Sequence, residues 1–123
     1  MGNVNAKNKG ARGEREFSSF LRDEGYEAIR GCQNAGRDAT GQEAPDVIHN
    51  VPGVHFEVKR TEKLRIVPAI EQAKKDSGEK IPVVAWRRNN WQWMAILPMK
   101  DLMEFIREWL PFKSETSKEK NND

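Results

Sequence analysis

Residues Ile81 to Trp86, Ile-Pro-Val-Val-Ala-Trp, are almost continuously apolar. That is the pattern of a strand buried on both faces, and it places the strand inside a layered α/β arrangement. The segments around it carry other periods. Phe17, Phe20 and Leu21 recur at helical spacing within a first helix from about Gly10 to Glu24, with Gly25 as its stop. Pro68 suits the first turn of a second helix over Val67 to Ser77, ended by Gly78, whose Ala69, Ile70 and Ala73 form a narrow apolar face able to lie close on a sheet. A last helix from Met99 to Trp109 spaces Leu102, Met103, Ile106 and Trp109 on one side. Strands are expected at Tyr26 to Arg30, Pro45 to Ile48, Val54 to Arg60, Ile81 to Trp86 and Trp91 to Leu97. The order is αβββαββα. Strands on both sides of a crossover helix imply a mixed central β-sheet flanked by helices.

At 123 residues the chain suits one domain with one core. We expect a flexible arm over residues 1–8, a single domain over 9–112 and a disordered tail over 113–123, where no large apolar residue lies beyond Lys113. No apolar run is long enough to span a bilayer, and Met1 to Arg12 lacks the apolar core of a secretory signal, so a cytoplasmic protein with no membrane partner is expected. The lone Cys32 forms no intrachain disulfide. A net charge of +2 says little, but the basic residues Lys7, Lys9, Arg12, Arg15, Arg30, Arg37, Lys59, Arg60, Lys63 and Arg65 concentrate in the amino-terminal half, which suits an anionic partner.

That half also carries the candidate chemistry. On a strand over Val54 to Arg60, side-chain alternation puts His55, Glu57 and Lys59 on one face and Val54, Phe56 and Val58 on the other. Pro52-Gly53 signals a turn, by which Asp46 on the preceding segment is expected to fold back beside Glu57 as a hairpin. Glu14 borders the apolar stripe of the first helix, while Glu16, Arg22 and Asp23 point more toward solvent. Packing that helix on the hairpin would bring Glu14, Asp46, Glu57 and Lys59 to one rim. Mg²⁺ prefers oxygen ligands and uses few from protein; Asp46, Glu57 and the backbone carbonyl of Val58 are the candidate set, with Mn²⁺ as a substitute. Such a site can polarise a phosphate and activate water, with Lys59 positioning or deprotonating that water.

Pro45-Asp46, a hairpin spacer and Glu57-Val58-Lys59 resemble the signature of the PD-(D/E)XK nuclease superfamily, whose restriction-endonuclease-like core has the element order read above. Within it, Lys9-Gly10-Ala11-Arg12-Gly13-Glu14-Arg15-Glu16, Gly25-Tyr26-Glu27-Ala28-Ile29-Arg30 and Phe56-Glu57-Val58-Lys59 are similar to the first helix, next strand and catalytic strand of the archaeal-type Holliday-junction resolvases. The resemblance implies that Glu14, Asp46, Glu57 and Lys59 are catalytic, with Glu14 reaching the metal through water. It also implies that Arg15 and Arg30 hold phosphates, that the DNA is branched and that the enzyme is a homodimer. Lys9, Arg12, Arg37 and Arg60 are further candidate DNA contacts. The expected function is therefore a metal-dependent, structure-selective DNA endonuclease of recombination. The alternatives are a phage-type endonuclease on duplex, flapped or single-stranded DNA, and a DNA-binding module without turnover. The loop Gly31 to Ala44 is longer than its counterpart in the resolvases.

Each residue also has a plainer reading. Glu57 and Lys59 would make a salt pair on a solvated strand, worth little. His49 and His55 would be ordinary strand histidines, whereas a functional His55 would approach a metal or phosphate. Gln72 on the second helix is either an accessory active-site group or solvent-exposed. Trp86 and Trp109 read as packing; Trp91 and Trp93 share one strand face and would form a dimer or DNA surface if exposed.

Overall fold

The structure is a computed structural model that describes residues 2–31 and 47–108, with side chains described from Gly10 onward. Cys32, Arg37, Asp46, Trp109, the loop before Asp46 and the tail over 113–123 lie outside the described residues, as does the side chain of Lys9. Helix α1 (Gly2–Asp23) leads to strands β1 (Ala28–Arg30), β2 (Val47–His49) and β3 (Val54–Arg60), helix α2 (Ile66–Ser77), strands β4 (Ile81–Arg87) and β5 (Met94–Ile96), and a third helix, α3, over 99–108. This is the expected αβββαββα order. Helix α1 starts well before Gly10, because helix propagation needs only backbone bonds and does not depend on the buried stripe that marked the expected start.

The β4 strand behaves as its sequence requires. It lies between β3, in parallel from Val54↔Ile81 to Arg60↔Arg87, and β5, antiparallel from Val84↔Ile96 to Trp86↔Met94, which makes a mixed three-stranded sheet. Opposite residues of paired strands face the same side, so the sheet has two distinct faces. Phe56, Val58 and Ala85 meet α1 through Phe17 and Leu21, with the Phe17 ring edge-on to Phe56 at 4.9 Å and to Trp93 at 5.0 Å. On the other face Val84 packs with Ala69 and Ala73 of α2, ringed by Leu64, Ile70, Trp86 and Ile96. Burying a valine as completely as Val84 contributes roughly 1.5–3 kcal/mol. The small alanines bring α2 close to the sheet, as their spacing predicts. Helix α2 ends at Gly78, whose φ of 60° is open to glycine at no steric cost.

The expected hairpin is different. Strand β2 pairs with β1, antiparallel, in the register Ala28↔His49, Ile29↔Ile48 and Arg30↔Val47. Asn50 fixes that choice. Its backbone N–H donates to the Glu27 carbonyl at 3.1 Å, and its side-chain oxygen accepts the Glu27 N–H at 2.8 Å. Past the turn at Pro52-Gly53 the chain enters β3, where the Ile81 N–H donates to the Gly53 carbonyl at 2.9 Å and opens the ladder with β4. A turn signal marks where a chain reverses; the ladder partner is set by which strands have unpaired backbone groups nearby.

Two other expectations change. Glu16 does not face solvent: its carboxylate accepts from Arg12, Arg60 and Arg87 at 3.2, 2.9 and 3.1 Å, joining α1 to β3 and β4. Trp91 and Trp93 do not share a face. They precede β5, so strand alternation does not govern them; Trp91 packs edge-on to Trp86 under the Arg88 guanidinium, whereas Trp93 turns to Phe17.

Candidate active site

Strand β3 carries the centre of the site on its α2 face. Glu57 is 6% exposed, an unusual place for a carboxylate, since burying charge is costly unless it is paired, hydrogen-bonded or on a metal. Its neighbours are those the strand period predicts: Lys59 Nζ stands 3.5 Å from Glu57 Oε1, and His55 Nε2 stands 3.9 Å from Glu57 Oε2. Both distances exceed the ~2.7–2.9 Å of a charge-assisted hydrogen bond. Glu57 and Lys59 do form the ion pair of the plain reading, but a long one, on a carboxylate that is buried and not solvated. The carboxylate is buried and loosely held.

Helix α2 adds a residue that the sequence reading missed. Its last turn lies over the start of β3, so ligand atoms of Asp76, Glu57 and His55 all fall within 4.8 Å of one another. Gln72, one turn earlier and exposed, donates its side-chain N–H to Asp76 at 2.7 Å, so it touches the cluster only through Asp76. The available signal was the i, i+4 pair Gln72 and Asp76 flanking the buried stripe Ala69, Ala73 and Ser77.

A second group forms where α1 meets β1. Glu14 is buried and accepts from Arg30 Nε at 3.1 Å, so the two residues that lie far apart in sequence are brought together. Its helix neighbour Arg15 is exposed. Arg12 leaves 74% of its side chain to solvent, whereas Arg60 keeps only 12% and is held by Glu16 and by the Asn89 side chain at 2.8 Å. Burial alone would raise the Glu16 carboxyl; the hydrogen bond and charge of Arg60, with the charges of Arg87 and Arg12, outweigh it and hold that carboxyl below its usual range.

His49, opposite Ala28 at the other end of the β1–β2 ladder from Arg30, is occupied. Its Nδ1 accepts the Val51 N–H at 3.0 Å and its ring tilts against Phe56 at 4.9 Å. Burial first, then the charges of Lys80 and His55, push its pKa below the ordinary value. This is the structural role expected of it.

The donor chemistry fits a divalent cation: a buried carboxylate with no short hydrogen bond among the described residues, a second carboxylate and an enclosed imidazole nitrogen converge on one face of β3. Among the described residues no helix is long and apolar enough to cross a membrane.

A mixed sheet with α1 on one face and α2 on the other, bearing Glu-Val-Lys on the strand under α2, defines a restriction-endonuclease-like α/β protein of the PD-(D/E)XK superfamily. Residues 5–108 match the profile of the archaeal Holliday junction resolvase family, Hjc, and the chain belongs to that family. It is thereby placed among nucleases that act on DNA. No curated protein and no solved structure gives a significant match.

Proposed function

We propose that this chain is a divalent-metal-dependent endonuclease, selective for branched DNA, that resolves four-way junctions as a homodimer with one site per copy. The observation that carries the reading is the buried, loosely held Glu57 carboxylate with Lys59 beside it on the same face of β3. Asp46, Glu57 and the Val58 carbonyl would hold the ion, Mg²⁺ with Mn²⁺ as its substitute, and Glu14 would reach it through water. A bound ion would supply charge to polarise the scissile phosphate and to lower the pKa of water there. Lys59 orients the attacking water and offsets charge on the phosphorane oxygens as the water oxygen bonds to phosphorus and the P–O ester bond breaks. Arg15 and Arg30 hold flanking phosphates, Arg30 while bonded to Glu14; Lys9, Arg12, Arg37 and Arg60 extend the contact along the backbone. Gln72 acts through Asp76.

Cleavage of a four-way junction in Mg²⁺, beside duplex, flapped and single-stranded DNA, tests the proposal. Paired cuts on opposing strands of the junction, lost in EDTA, are expected. Lys59→Ala should slow cleavage roughly 100- to 10,000-fold. Asp46→Ala and Glu57→Ala should abolish it, with junction binding largely kept because arginine–phosphate contacts dominate affinity. A folded wild type that cuts none of these DNAs would overturn the reading. Faster cutting of duplex or flapped DNA would favour a phage-type substrate.

A further inference from the structure

We propose that His55, Glu57 and Asp76 form a second cation position, suited to a borderline transition ion such as Mn²⁺, Co²⁺ or Zn²⁺, which shares Glu57 with the hydrolytic set. The His55 Nε2 atom is enclosed and has no hydrogen-bond partner among the described residues, on a side chain only 15% exposed. A buried polar nitrogen left without a partner is costly, and a bound cation removes that cost. The Glu57 side chain, 8% exposed, points at the same space, with Lys59 Nζ and His55 Nε2 held off at 3.5 and 3.9 Å. Asp76 closes the third side from α2, and the ligand atoms of all three residues lie within 4.8 Å of one another. Ligand atoms bonded to one ion at about 2.0–2.2 Å lie at most about 4.4 Å apart, so only a small turn of these side chains is needed to close them on an ion.

The donor set also selects the ion. Two carboxylates alone would suit Mg²⁺, but an imidazole nitrogen shifts preference toward softer first-row ions. Gln72 supports the position from behind: its N–H bond to one Asp76 oxygen leaves the other free to turn to the ion, the outer hydrogen bond that commonly orients a metal-bound carboxylate. The position's place beside the hydrolytic ion rests on the nuclease reading; the position itself rests on these three side chains.

Co²⁺ titration of the full chain, followed by visible absorption and by paramagnetically shifted histidine resonances, decides it without reference to cleavage. At least one bound Co²⁺ with a shifted imidazole is expected for the wild type, and the shifted imidazole should persist in Asp46→Asn, which removes a ligand of the hydrolytic set alone. His55→Asn should abolish the shifted imidazole, and Asp76→Asn should weaken Co²⁺ at least tenfold; Asp76 is exposed, so this variant keeps the test open if His55→Asn does not fold. Unchanged affinity in Asp76→Asn, or loss of the imidazole signal in Asp46→Asn, would overturn the proposal. Failure of the nuclease reading appears separately, as absent junction cleavage in Mg²⁺.

Discussion

The fold opposes protonation of His49. Its Nδ1 must stay unprotonated to accept the Val51 N–H, and its pKa in the folded chain lies below the usual 6.5. A group whose folded pKa is depressed adds stability above its unfolded pKa and loses it as pH falls toward the folded value. Urea midpoints should therefore decline as pH drops below about 6.5, and His49→Asn should flatten that decline; the same slope in wild type and variant would show that His49 is not its source. Lowering the pH further removes the support of Glu16, whose carboxyl is likewise depressed, through its arginines. At this scale the sequence was informative where one local rule decides. The two-residue period put His55, Glu57 and Lys59 on one face, and they are there. Asp76 and Glu16 were not legible, because a helix residue beside the buried stripe faces either solvent or a neighbouring strand according to tertiary packing, which no local period encodes.

The contact of α1 with β3 depends on an absent side chain. A Cβ on Gly13 would sit 2.6 Å from Arg60 Cβ, the root of the side chain and not its mobile end. Gly13→Ala must therefore push the helix off the strand and disturb the Arg60–Glu16 bond; a loss of about 1–3 kcal/mol in urea-unfolding free energy is expected. An unchanged or raised stability would mean that α1 can shift without cost. Element types and order could be read from apolar periods, since strand and helix differ in which positions they bury. Pairing could not. Pro52-Gly53 announced a reversal, but Asn50 commits β2 to Glu27 and β1, and β3 takes β4 instead. The strand expected from Trp91 begins only at Met94, because the tryptophans spend themselves on two different clusters and the backbone follows them.

For the whole molecule, β3 is the member common to both candidate constellations, and its ladder partner lies on the far side of α2. Pairing such distant segments incurs loop-closure entropy before any contact offsets it. A chain ended after Lys80 keeps Glu14, Asp46, Glu57 and Lys59 yet lacks the strand against which β3 is ordered. It should show neither cooperative unfolding by circular dichroism nor junction cleavage, whereas cleavage by the fragment would mean that β3 is ordered without β4. The parallel ladder thus also acts in time. During synthesis Glu14, Asp46, Glu57 and Lys59 all leave the ribosome before β4, so a growing or prematurely terminated chain carries these four side chains without the ladder that orders β3.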